Sequence, residues 1–397
     1  MESNGSIRSI LTSMAACCIV IACHNLPASS QQSQLKLIFT GDIMGHDTQI
    51  ASALETGEPG YDYKPCFEYL RPYLQGAGLV IGNLEVTFAG TPYSGYPAFS
   101  SPDELADALK WAGFDILVNA NNHALDRGQK GVIRTIEVLE QEGIVQTGTF
   151  PDSLGREAYY PLILEKNGIR IALLNYTYGT NGIQDRPPAI VNRIDTATIK
   201  KDLQKAKSAD PDFIVATMHW GNEYEVTESP QQQELAAFLF QNGVHAVIGS
   251  HPHVVQPIRG EGAGNLVAYS MGNLISNQRN RNRDGGIAFE MVLSKNLEET
   301  GGTIQKEISS FGYLPVWVWK PITKKGTGFT LVPANLDPAS GGFPEMSAED
   351  RVKMTRFLED TRSRLKGCRE VIPPSPVVDS TGRSWNPPGS AHNIHIQ

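Results

Sequence analysis

Short apolar runs that stop at polar turn residues recur along this chain, and stretches of helical spacing separate them. Leu35-Lys36-Leu37-Ile38-Phe39-Thr40 ends at Gly41-Asp42, and Leu79-Val80-Ile81-Gly82 ends at Asn83-Leu84-Glu85. Ile116-Leu117-Val118 runs into Asn119-Ala120-Asn121-Asn122-His123, Phe213 to Met218 delivers His219-Trp220-Gly221, and Val244 to Ile248 stops at Gly249-Ser250-His251-Pro252-His253. Runs this short and this rich in Val, Ile and Leu read as buried strands. Arg170 to Tyr178 is a further strand, followed by a Gly- and Pro-rich loop through Pro188. Pro102 to Ala112 is helical by its spacing, with Asp103 and Glu104 in the first turn, where carboxylates suit the helix dipole. Lys130 to Glu142 carries Val132, Ile136 and Leu139 on one face, and Thr196 to Ser208 and Gln231 to Gln241 are the next helices. The alternation predicts an α/β fold.

Beyond Leu293, Thr303 to Lys320 and Gly328 to Pro333 read as strands, and Ala348 to Leu365 as a helix through Val352, Met354, Phe357 and Leu358. Trp317 and Trp319 suit sheet packing better than a sugar-stacking platform. The expected organisation is a leader and tether over 1–34, a catalytic-type domain over 35–335, a helical extension packed on it over 336–372, and a loosely held tail over 373–397.

Strand tips carry the candidate chemistry, because open α/β sheets bind ligands at the carboxyl ends of their strands. Asp42, Glu85, Asn122, His219, His251 and His253 each stand at or just past such an end. Singly, each is also explained as a turn or core residue. Together, six mixed oxygen and nitrogen donors exceed what one tetrahedral site uses and suit two divalent metals sharing a bridging carboxylate. Manganese, iron or zinc are all compatible with such donors.

The 397 residues have a net charge of −8, which argues against nucleic-acid binding through a general basic surface while leaving room for a local anion site. Arg8 precedes an interrupted apolar segment, Ser9 to Ala22, then Cys23 and a Ser/Gln tract, the layout of a secretion signal. Val20-Ile21-Ala22-Cys23 resembles a bacterial lipobox, which predicts an exported chain held to a cell-envelope membrane by lipid on Cys23. An ordinary signal cleaved near Ala28 is the alternative. Pro27 to Gln34 would then be a flexible tether, and Cys66 and Cys368 would remain as a possible disulfide pair.

Gly41-Asp42 with Met44, Gly82-Asn83-Leu84-Glu85, Ala120-Asn121-Asn122-His123 with Asp126 and Gly128, His219-Trp220-Gly221 with Glu223-Tyr224, His251-Pro252-His253-Val254 with Gln256, and Tyr269-Ser270-Met271-Gly272-Asn273 occur in this order. The set, spanning roughly Leu35 to Leu293, resembles the CapA family of poly-γ-glutamate capsule synthesis proteins, a branch similar to calcineurin-like metallophosphoesterases. The resemblance implies a four-layer sandwich with two central mixed sheets flanked by helices. It implies that Asp42 and His253 hold one metal, that Asn122, His219 and His251 hold the other, and that Glu85 bridges them. His123 would stabilise the transition state or protonate the leaving oxygen. Glu223, Asn273, Arg279 and Arg281 are expected to contact substrate, the arginines because guanidinium forks grip carboxylates; a solvated charged loop is the plainer reading of that stretch. Two departures stand out: Asp42-Ile43-Met44 lacks the imidazole of the parent Asp-x-His motif, with His46 as a candidate substitute, and Glu85 replaces an Asp.

Two functions fit. One is a surface-anchored, metal-dependent hydrolase or transferase acting on an anionic polymer such as poly-γ-glutamate or on a phosphoester, working with capsule-synthesis membrane proteins. The other is a non-catalytic capsule-assembly or polymer-binding component that retains the fold.

Overall fold

Alternation along the strand Gln32–Ile43 shows how the layers are built. Leu35, Leu37 and Phe39 point into a core shared with Leu164, Ile171, Leu173, Val215 and Ile248 of a second sheet. Ile38 and Ile43 point the other way, into a core shared with Phe67, Leu74, Leu105 and Leu109 of the covering helices. On the second sheet, Leu174, Ile214, Ala216 and Val247 face outward onto Ile199, Leu203, Ala236 and Leu239 of the helices Thr196–Ser208 and Pro230–Gln241. The result is helix, sheet, sheet, helix, and strands covered on both faces explain why the apolar runs are nearly continuous. Burying each such Leu or Ile contributes roughly 1.5–3 kcal/mol before the entropy of ordering it is set against it.

The computed structural model describes residues 32–54, 60–261, 264–297, 304–323, 326–336, 346–374 and 395–396. The first sheet runs in the order Thr330–Pro333, Ile304–Trp319, Gly285–Leu297, Gln32–Ile43, Leu79–Leu84, Ile116–Val118, Val145–Thr147, and Asn273–Ile275 pairs beside the end of Gln32–Ile43. The second runs Ile258–Glu261, Asn265–Ala268, Ala246–Ser250, Phe213–His219, Ile169–Thr177, Leu162–Lys166, His395–Ile396. Both are mixed: Gln32–Ile43 pairs parallel with Leu79–Leu84 and antiparallel with Gly285–Leu297, and Phe213–His219 pairs parallel with both neighbours. The central strands of both sheets therefore run toward one rim, where the candidate ligands gather.

Some expectations shift. Cys23, the leader and most of the tether lie outside the described residues, but Gln32, Ser33 and Gln34, assigned to the tether, are strand residues paired with Asn296, Lys295 and Ser294. Within the expected tail, His395–Ile396 pairs with Glu165 and Leu164, while 375–394 lies outside the described residues. Cys66 and Cys368 are free thiols: Cys66 is on the buried side of the short helix Lys64–Phe67, and Cys368 packs on the inter-sheet core. The helix Ala348–Arg364 sets Met354 and Phe357 against Trp317 and Trp319, whose indole N–H groups donate to Asp284 and Asp350. Among the described residues no helix is long and apolar enough to cross a membrane.

Candidate metal centre

The first donor is aimed by a bulge. Pairing between Gln32–Ile43 and Leu79–Leu84 shifts register between Thr40 and Asp42, which turns the Asp42 carboxylate toward the second sheet. Gly41 makes the turn feasible, because a Cβ there would stand 1.9 Å from the Gly272 carbonyl oxygen. The two imidazoles beyond Ala246–Ser250 are aimed by unusual backbone: His251 and His253 have φ of 98° and 59°, a left-handed region that L-residues occupy at a cost of about 1–3 kcal/mol and that clusters at functional sites. Gln256 secures this loop by donating to the Glu225 and Thr227 carbonyls at 2.8 and 3.0 Å and accepting from Gln232 at 2.9 Å.

Asp42, Glu85, Asn122, His219, His251 and His253 come from both sheets and are all buried together. His253 Nδ1 lies 3.0 Å from Asp42 Oδ2, and His219 Nε2 lies 2.8 Å from Asn122 Oδ1. Between these pairs, Glu85 Oε1 is 3.6 Å from His219 Nε2 and 3.8 Å from His253 Nε2. Donor atoms of Glu85, His251 and His253, and again of Asp42, Glu85 and His219, fall within 4.8 Å of one another, with Glu85 common to both sets. Asn83 orients two of the donors, its Nδ2 lying 2.8 Å from Asp42 Oδ1 and 3.4 Å from His219 Nδ1.

The electrostatics suit a cation. Burial, and then the Asp42 carboxylate, raise the Glu85 carboxyl well above its usual range. Burial, and then the neighbouring imidazoles, hold His219 well below its usual value, and burial pushes His251 down to about 3. His219 and His251 are therefore neutral, the form that ligates a metal. Both Glu85 oxygens and His251 Nδ1 are buried without a hydrogen-bond partner. Each such orphan costs about 1–3 kcal/mol, and a divalent cation among these donors would satisfy all of them. The donor set fits the group.

His123 sits beside the ligands, its Nδ1 2.7 Å from Asp126 Oδ2 and its ring edge-on to Phe99. Asp126 also accepts the Phe99 N–H at 2.8 Å. Over the ligands, the half-exposed Tyr178 ring lies 4.5 Å from that of His251 and stacks on that of His219. Asn181 Oδ1 accepts from Asn122 Nδ2 at 3.2 Å. Glu223 is exposed at the rim, close enough to raise the Tyr178 and Tyr224 hydroxyls to about 12 in concert with burial, the larger cause for both.

Other expected contacts lie elsewhere. Asn273 is fully buried and fully engaged, its Oδ1 3.1 Å from His253 Nδ1 and its Nδ2 donating to the Arg283 carbonyl at 2.8 Å, so it holds a ligand in place instead of facing substrate. Arg279 turns under Trp317 and donates to the Val318 carbonyl at 2.8 Å. Arg281 forms a two-pronged pair with Asp360 of the C-terminal helix, at 2.7 and 2.8 Å. That partner is 79 residues away, which no local reading reaches. His46 is outside the ligand groups: its Nδ1 lies 3.0 Å from Gln49 Oε1 and 3.2 Å from the Asn277 amide nitrogen. Local pattern in the sequence gives no role to Asn83, Tyr178 or Asn181, whose partners are distant in the chain, whereas Asp126, three residues past His123, carries a local signal.

A family model described as "Bacterial capsule synthesis protein PGA_cap" matches residues 36–278. The chain is 28% identical to the capsule biosynthesis protein CapA of Bacillus anthracis over 68% of this chain and 69% of that one. It is 28% identical to the PGA biosynthesis protein CapA of Bacillus subtilis over 66% and 68%. Among solved structures, the calcineurin-like phosphoesterase YfkN from Bacillus subtilis aligns with a TM-score of 0.38 and 14% identity over 84% of this chain and 98% of that one.

Proposed function

The chain belongs to the bacterial capsule synthesis protein family PGA_cap, and from that premise we propose that it is a metal-dependent hydrolase or transferase of the cell envelope, acting on an anionic polymer of the poly-γ-glutamate kind or on a phosphoester. The observation that carries this reading is Glu85, a fully buried carboxylate with two unpartnered oxygens between His219 and His253. Buried carboxylates normally find donors, so two oxygens left without one support a cation at this position.

In this reading Asp42 and His253 would hold one divalent ion, Asn122, His219 and His251 the other, and Glu85, common to both groups of donors, would serve the two. Such ions supply polarisation of a phosphoryl or carbonyl oxygen, an acidified water and a clamp on anionic groups. Asp126 orients His123 through Nδ1, which leaves Nε2 free to take a proton from water and pass it to the departing oxygen. Tyr178 limits access of bulk water to His219 and His251. Lipid on Cys23 would hold the chain at the membrane, beside the machinery that makes the polymer.

A binding-only role is favoured by one feature. The position of the parent imidazole is filled by Met44, buried in the helix-covered core and not offered to the centre. Elemental analysis of purified protein, with hydrolysis of phosphoesters and γ-glutamyl polymers measured before and after chelation, separates the readings. Bound metal with chelator-sensitive turnover supports the enzyme, bound metal without turnover supports the binding component, and a protein that takes up no divalent ion overturns the metal centre.

A further inference from the structure

Beside the metal centre lies a cavity of about 720 Å³, within the size range of ligand sites, walled by Leu125, Arg127, Lys130, Gln184 and Arg186 among others. One wall is the turn that follows His123 with the start of the helix Gly128–Gln141, and the other is the Gly- and Pro-rich loop after the strand Ile169–Thr177. Asn181 of that loop hydrogen-bonds Asn122 and lies 3.5 Å from His123 Nδ1, so the cavity begins where the ligands end.

Its charge is one-sided. Among the described residues Arg127, Lys130 and Arg186 line it, and no carboxylate does. Arg127 spends Nη2 on neutral acceptors, Ser94 Oγ and the Pro92 carbonyl, and its Nε is buried with no partner. The nearby Asp185 is paired with Arg193, and Asp126 with His123. The cavity that takes Arg279 and Arg281, by contrast, also contains Asp284 and Asp360. On a chain of net charge −8, three cations in one concavity, none of them ion-paired to a carboxylate among the described residues, mark a place for anions.

We propose that this cavity binds the anionic groups that flank the bond broken at the metal centre, a row of carboxylates or phosphates on one chain. The assignment rests on the reading of the centre as a hydrolytic or transfer site, which gives the row its direction.

Binding of a γ-linked glutamate oligomer of defined length and of inorganic tripolyphosphate, by calorimetry on full-length protein with and without metal, tests it. Lys130→Gln with Arg186→Gln leaves the Arg127 contacts to Ser94 intact and is compared with Lys201→Gln and Lys207→Gln, an equal charge loss on a distant helix. The cavity variant should weaken at least one probe about tenfold, the distant variant less than about twofold, and adding Arg127→Gln should weaken it further. The probe that is weakened names the ligand as carboxylate or phosphate. Equal losses in both variants, no loss in the cavity variant, or complete loss of wild-type binding on chelation would each overturn the proposal. Cavity-dependent binding by a protein that takes up no metal would leave this site standing and remove the metal centre alone.

Discussion

His123 Nδ1 and Asp126 Oδ2 lie 2.7 Å apart, both side chains almost wholly buried, beside but outside the cluster of six donors. Because His123 ligates nothing in this arrangement, its removal should separate chemistry from metal retention. His123→Ala is expected to keep metal content near that of the wild type while turnover falls by about 10²–10⁴. Elemental analysis and single-turnover kinetics on one preparation check this, and parallel loss of metal would contradict it.

His219→Ala and His251→Ala should behave in the opposite way. Each removes a neutral imidazole from the cluster, so metal affinity should fall steeply. Thermal melts in chelator should stay close to those of the wild type, because the donors sit on a rim above a large core. A collapse of the fold in both variants would instead mark the histidines as structural.

Glu85 connects stability to pH. Its folded carboxyl is raised above the ordinary value of 4.5, so in metal-free protein its contribution is fully present below that value and is lost as pH rises through the folded one. His251 works in the other direction, with a folded value of about 3 against 6.5 unfolded: its stability is present above 6.5 and lost as pH falls. Comparing chelated wild type with Glu85→Gln cancels the histidines. The difference in unfolding free energy should grow in favour of the variant as pH rises above 4.5, by about 1–3 kcal/mol, and the order should reverse once wild type is metal-loaded. Denaturant titrations at stepped pH measure it.

Gly41→Ala should damage fold and site together. The added Cβ meets the Gly272 carbonyl oxygen at 1.9 Å, and that oxygen is backbone and cannot swing aside, so the strand must move and carry Asp42 with it. A loss of about 1–3 kcal/mol with weakened metal binding is expected. Gly260→Ala, where nothing lies within 4 Å of the new atom, is the control that should show neither.

Cys23→Ala should release the chain from the membrane fraction or leave its leader uncleaved. Mass spectrometry of the mature N-terminus reads this directly, and an unmodified N-terminus further along the wild-type chain would rule out lipid at Cys23.

Periodicity made most of the architecture legible. Residues facing a large core must be apolar at strand or helix spacing whatever their distant partners are, so Leu79–Leu84, Thr196–Ser208 and Phe213–His219 could be located from local pattern alone. The six donors were legible for a related reason: each follows an apolar run, and parallel strands end on one side. Only the tertiary structure decided which polar residues meet across the two sheets. Asn83 reaches His219, Asn273 clamps His253, and Arg281 is drawn to Asp360, because these partners depend on how the sheets stack and where the C-terminal helix docks. The cationic cavity was hidden in the same way, since Arg127 and Lys130 share it with Arg186 only after the loops that follow two separate strands have folded over one rim. Hydrophobic burial is specified residue by residue, whereas polar pairing is specified by the closed fold.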